Sequence, residues 1–178
     1  MSLFWATLVP GLVLFVAGGL LAWSGPPVRQ GVFHFLRSQA AAYLVFGGGA
    51  AWFLWHVYNL GEADFGNIKH FLLALFGAVA LLSFVYVKDF LVVRGLAVLM
   101  LLSARELLDA AYMQYDVPQR LFMVGLVYLG IGAALYLGAL PFRLRDLFEW
   151  LFKKGRARLA GGVIAGYGLL LSAVACTY

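Results

Sequence analysis

Residues 68–113 read IKHFLLALFGAVALLSFVYVKDFLVVRGLAVLMLLSARELLDAAYM, two long apolar runs parted only by Lys88-Asp89. As one helix this stretch would be about 70 Å long at a rise of 1.5 Å per residue. That is more than twice the roughly 30 Å hydrocarbon core of a bilayer. The stretch is therefore two membrane-spanning helices joined by a tight turn. A span needs roughly 20 helical residues, and the same measure applied outward marks four more apolar runs. Helices are expected at about Leu3–Trp23, Gln39–Leu60, Ile68–Val87, Phe90–Met113, Leu121–Leu140 and Leu159–Thr177.

The composition agrees with this reading. The chain is 64% hydrophobic and only 12% charged, with a mean hydropathy of +0.92, against about half apolar and a quarter charged in soluble domains. Helices satisfy their own backbone hydrogen bonds where lipid offers none. A closed barrel would need short alternating segments instead of uninterrupted apolar runs. The expected fold is a single all-α integral membrane domain over residues 1–178: a bundle of about six transmembrane helices in three hairpins, with a cytoplasmic interfacial amphipathic helix. Met1-Ser2-Leu3-Phe4-Trp5 lacks the positive charge of a secretory signal, so the first run is expected to be a retained helix. Cys176, the single cysteine, forms no internal disulfide and no metal cluster.

Breaks in the apolar runs supply the turns. Ser24-Gly25-Pro26-Pro27 ends the first helix, residues 61–67 form a polar loop, Asp116 with Pro118 signals a helix start, and Leu140-Pro141 closes the fifth helix. Lys and Arg gather on the cytoplasmic side of a membrane protein. With six helices, Arg29, Arg37, Lys88, Arg94, Arg143, Arg145, Lys153, Lys154, Arg156 and Arg158 all fall on one side, which is ten of the 13 basic residues. Only Lys69 and Arg120 fall in the opposite connections. Both termini are therefore expected outside, in a bacterial cytoplasmic membrane. The formal charge of +5 belongs to a basic rim facing anionic headgroups, and nucleic acid is not an expected partner.

The fifth connection carries a pattern of its own. Leu144, Leu147, Phe148, Leu151 and Phe152 recur at helical spacing while Arg145, Asp146, Glu149 and Lys153 fill the other face. An amphipathic helix over about residues 143–153, lying in the interface plane, follows. Arg143, Arg145, Trp150, Lys153, Lys154, Arg156 and Arg158 form the expected surface for lipid headgroups or a partner. Pro27-Val28-Arg29 followed by Phe33, Phe35, Leu36 and Gly47 parallels Pro141-Phe142-Arg143 followed by Phe148, Trp150, Leu151 and Gly162. This pattern suits either a parallel duplication or the common grammar of helix ends.

Small residues mark where helices approach. Gly162 and Gly166 form a GxxxG pair in the last helix, and Gly130, Ala134 and Gly138 form a small-residue face in the fifth. These two helices are expected to touch. Gly47, Gly48 and Gly49 weaken the second helix and make room for a neighbour, a bend or a lipid. Ionisable groups inside a span are candidate functional groups, which singles out Arg105, Glu106 and Asp109, with Tyr112 a turn beyond. Snorkelling to the outer boundary is the competing explanation. His56 and His70 lie at the outer ends of neighbouring helices, with Glu62 and Asp64 between them. They form a weak grouping for haem or a metal ion, lacking an HxxxH spacing, and no cofactor beyond a bound lipid is expected.

No Ser-His-Asp arrangement, phosphate-cradling glycine loop or metal-spaced carboxylate pair occurs. The expected function is therefore non-enzymatic: an accessory subunit, scaffold or assembly partner acting through helix contacts. Its expected partners are membrane lipids and other transmembrane proteins or a second copy. The alternatives are a small solute or ion transporter or channel using the polar group of the fourth helix, and a haem-binding electron-transfer subunit. Reporter fusions test the charge argument directly: alkaline phosphatase joined to either terminus should be active, and a fluorescent reporter that matures only in the cytosol should stay dark at both.

Overall fold

The computed structural model of the chain describes residues 1–61, 65–87 and 89–178, together with every side chain in them except that of Lys154. Glu62 and Asp64 of the suggested histidine grouping and Lys88 of the tight turn lie outside the described residues, as does the side chain of Lys154 in the basic surface. Among the described residues the structure is all-helical: α1 (Leu3–Trp23), α2 (Pro26–Arg37), α3 (Gln39–Tyr58), α4 (Lys69–Tyr86), α5 (Leu91–Ala111), α6 (Arg120–Ala139), α7 (Phe142–Phe152) and α8 (Arg156–Ala175). Single 3-10 turns precede α4 at Gly66–Ile68 and α8 at Lys153–Gly155.

Five of these helices, α1, α3, α4, α6 and α8, are long and apolar enough to cross a membrane, so the chain has the make-up of a multi-pass integral membrane protein. The fourth expected span, α5, has 21 residues but carries Arg94, Arg105, Glu106 and Asp109. The expected helix limits differ from the observed ones by three residues or fewer at each end.

One helix was not expected. Residues 26–37 lack a long apolar run, so they read as turn and loop, yet they form α2. Pro26 and Pro27 occupy the first helical positions, where a missing N–H costs nothing. Val28, Val32 and Leu36 follow at intervals of four, placing one apolar stripe against the bundle with Leu36 buried. Arg29, Gln30, His34 and Arg37 remain exposed. The chain turns into α2 through Ser24, held at φ 44°, whose N–H donates to the Leu20 carbonyl. It turns out of α2 at Ser38, whose hydroxyl accepts from the Ala41 N–H at 3.3 Å and caps α3.

The packing differs from three hairpins joined at the basic end. Instead α1 packs along α8, α3 along α4 and along α5, and α5 along α6, while α1 also touches α5 and α6. The helices joined through the basic connections, α1 with α3, α4 with α5 and α6 with α8, share little contact. The lengths of α2 and α7 explain two of these gaps. Helices of 12 and 11 residues are each about 17 Å long, whereas packed helix axes lie 8–10 Å apart. A rigid linker of that length holds its flanking spans too far apart to touch. The third gap arises because α4 and α5 both pack on α3.

The expectation that α6 packs on α8 through Gly162 and Gly166 is likewise corrected. A Cβ added at either glycine would meet nothing within 4 Å, whereas one at Gly161 would strike the backbone of Gly18 and Ala22, and one at Gly168 the backbone of Gly11 and Phe15. The contact face of α8 is therefore Gly161, Gly168 and the residues in register with them, and its partner is α1. Gly130, Ala134 and Gly138 do face a neighbour, but it is α5: Gly130 lies against Met100 and Gly138 against Ala97, and Ala134 is buried. In α3, Gly49 faces Val98 and Leu99 of α5, Gly47 faces Phe84 of α4, and Gly48 faces open space. Across the same contact, Gly95 of α5 lies against the backbone of Phe46.

Overpacking a closed interface costs about 1–3 kcal/mol, and replacing an unconstrained helical glycine with alanine gains about 0.5–1 kcal/mol. Gly161→Val and Gly168→Val should therefore lower the thermal unfolding midpoint in detergent and separate α1 from α8. Gly162→Ala and Gly166→Ala should leave it unchanged or raise it.

Candidate functional site

The end of the bundle that carries α2 and α7 concentrates its basic residues. The two amphipathic helices meet there through Phe33 and Phe152, whose rings lie 6.2 Å apart. Cations dress the apolar surface: the guanidinium of Arg156 stands 4.5 Å from the Trp150 ring, and that of Arg143 stands 5.6 Å from the Phe142 ring. Lys153 and Arg158 are exposed. Guanidiniums resting on aromatic rings, beside exposed basic side chains, suit the boundary between hydrocarbon and headgroup.

The splaying of the joined spans leaves two clefts at this end. One, of about 660 Å³, lies between the end of α1, α2 and α7 and includes Arg29, His34, Phe33 and Phe152. The other, of about 440 Å³, is bounded by five elements: Arg37 of α2, Gln39 and Tyr43 of α3, Phe84 of α4, Asp89 of the turn into α5, and Arg145 of α7. Tyr43 and Phe84 stack at 5.1 Å to form its aromatic wall. Arg145 is held in place by Asp146, 3.3 Å from Nη2, and by Glu149, 3.6 Å from Nε. The guanidinium lies 6.0 Å from the Phe90 ring, and its Nε is buried beside the Glu149 carboxylate. Phe90 reaches this position because it begins α5 at φ 58°. Sequence reasoning placed Arg145 on a lipid or partner surface but missed Arg37, Gln39 and Asp89, which come together only because α2 is a helix.

At the opposite end the polar residues of α5 do not form an enclosed site. Arg105 and Asp109 pair at 3.9 Å with side chains 68% and 71% exposed. Tyr112 is 70% exposed, and Glu106 is partly exposed. None of the four lines either cleft. The inward face of this part of α5 is Ala104, Ala110 and Ala111, packed against Met123 and Val127 of α6. Arg120 ties the loop between α5 and α6 by donating to the Ala111 carbonyl and lying 4.8 Å from the Tyr115 ring.

The two histidines differ in setting. His56 stacks on Trp52 at 6.2 Å with its Nε2 buried and unpaired, whereas His70 is exposed at the start of α4. Among the described residues no three His, Cys, Asp or Glu side chains converge as a metal site would require.

No protein-family model, curated protein or solved structure matches the chain. The geometry of its own residues therefore carries the functional argument. For the α5 group that geometry gives a measurable expectation, since exposed i,i+4 pairs contribute about 0.5 kcal/mol or less. Arg105→Gln and Asp109→Asn, singly or together, should move the unfolding midpoint in detergent by no more than a degree or two.

Proposed function

We propose that this chain is a non-enzymatic subunit or assembly partner of a larger membrane complex, working through helix contacts made within the bilayer. The observation that carries the reading is α4. In each of the other four apolar spans 22% of the most apolar 18 residues are buried, whereas in α4 none is. Helices in lipid gain no hydrophobic stabilisation from one another and associate by close packing, so a span with no buried residue is held weakly. Ring contacts on one side attach it to α3: Phe84 with Tyr43 and Phe46, and Phe76 with Phe53. Its other side presents Phe71, Leu75, Val79, Leu82 and Tyr86, all exposed, at the three- and four-residue spacing of a helix-packing seam. The open faces of Gly162 and Gly166 on α8 give a second surface suited to close approach.

In this reading α5 is the sixth span. Its 21 residues cover about 30 Å, its charges cluster near its two ends, and it packs between α3 and α6. The distribution of basic residues supports a bacterial cytoplasmic membrane with α2 and α7 on the inner surface and both termini outside. Arg105 and Asp109 point away from the packed face of α5, which lends no support to a solute path through them.

Site-specific crosslinking tests the proposal. In a Cys176→Ser background, a cysteine at Val79 on α4 should give a discrete adduct of defined mass in native membranes, with either another membrane protein or a second copy. A cysteine at Leu129, equally apolar and exposed on α6, should not. Equal labelling at both positions, or none at Val79 with a monomer recovered in mild detergent, would sink the idea.

A further inference from the structure

The cleft of about 440 Å³ falls within the range of roughly 300–1,000 Å³ typical of small-molecule sites, and it is the place where charges of both signs meet an apolar wall. Arg37 contributes an exposed guanidinium that, among the described residues, has no carboxylate within 4 Å. Arg145 enters from the other side, braced by Asp146 and by Glu149, whose carboxylate lies 3.6 Å from its Nε. Asp89 stands exposed on the rim. Among the described residues, two guanidiniums and one rim carboxylate therefore line the cleft, and two further carboxylates flank Arg145. This balance does not favour a ligand that is only anionic. It matches one that carries a phosphate and an ammonium together.

The position of the cleft supplies the rest of the argument. It lies where α3, α4 and α5 reach their ends, at the level where spans meet headgroups. Near its wall of Tyr43 and Phe84, α3 and α4 carry exposed apolar side chains, among them Leu44 and Leu81. A ligand with a charged head and an apolar tail fits both parts. We infer that this cleft seats the headgroup of a zwitterionic phospholipid bearing a primary ammonium, with Arg37 and Arg145 on the phosphate and Asp89 on the ammonium. Guanidinium donors suit phosphate oxygens. The carboxylate of Asp89 accepts hydrogen bonds from an ammonium N–H, which a trimethylated headgroup cannot donate. The inference is independent of the proposed helix contacts, because it concerns the opposite resource of the fold: a polar cleft instead of an apolar face.

Lipid competition on the full chain tests it. The protein is reconstituted in nanodiscs of equal phosphatidylethanolamine, phosphatidylglycerol and phosphatidylcholine, released into mild detergent, and its retained lipid weighed by native mass spectrometry. The expected result is retention of phosphatidylethanolamine over phosphatidylcholine by roughly tenfold, the factor that corresponds to one charge-assisted hydrogen bond. Arg37→Gln should reduce every retained phospholipid. Asp89→Asn should abolish the preference for the primary ammonium while phospholipid stays bound. Retention in proportion to supply, a preference for phosphatidylglycerol or phosphatidylcholine, or an unchanged preference in Asp89→Asn would overturn the inference. Displacement of bound lipid by millimolar O-phosphoethanolamine would overturn the lipid source, and failure to displace it supports that source. Arg37 and Asp89 are both exposed, so unfolding midpoints check that the variants remain folded, and the competition among lipids on the unaltered protein stands without them.

Discussion

Close approach of backbones, at a handful of glycines, is the interaction on which the rest of this structure depends. In lipid, apolar side chains gain nothing by leaving one apolar surrounding for another, so helices hold together only as well as they fit. Along α1 and α8, Gly11, Gly18, Gly161 and Gly168 bring main chain against main chain, and these two helices share the most extensive contact in the fold. Gly95 does the same against Phe46 where α3 crosses α5. Elsewhere contact falls to side-chain tips and ring edges, and α4, with no such glycine against a neighbour's backbone, is the least secured span.

The second constraint is the length of the connections at the basic end. The amphipathic linkers α2 and α7 prop the spans they join apart at that end, while the opposite connections leave α3 against α4 and α5 against α6. The result, among the described residues, is a bundle with clefts at its basic end. The clefts open beside the residues that the amphipathic pattern sets at the interface: Arg29, His34, Arg37 and Arg145. Charge distribution and shape therefore have a common origin in two short helices that do not cross the membrane.

Much of this was legible in the sequence, and the part that was not has a physical explanation. Long apolar runs locate spans without reference to anything else, so the limits of α1, α3, α4, α6 and α8 follow within a few residues. The Leu144-to-Phe152 repeat likewise foretells α7. The same repeat in α2 is sparser, with Val28, Val32 and Leu36 for an apolar face and two prolines at its head, and a search for hydropathy passes over it. Which helices touch depends on distances in three dimensions that no local pattern encodes. GxxxG at Gly162 and Gly166 is a sound motif on the wrong face of α8; the glycines that pack, Gly161 and Gly168, are spaced by seven and were not marked. The duplicated pattern corresponds to helices of 21, 12 and 20 residues and of 20, 11 and 20 residues, yet their surroundings differ, since α1 packs on α8 while α6 packs on α5. The cleft residues Arg37, Gln39 and Asp89 were hidden for the same reason: each lies next to a break in the pattern, and only the path of α2 gathers them.

The tightest seam in the fold joins the first helix to the last. Thr7 and Tyr178, whose hydroxyls meet at 3.4 Å across it, are 171 residues apart. During synthesis, α1 forms with its glycine face uncovered and must wait for α8, which begins only at Arg156, before that face closes. Insertion and assembly are thus separated in time, and the intermediate between them is an open arc of helices whose exposed main chain invites misplaced contacts, including those between nascent copies.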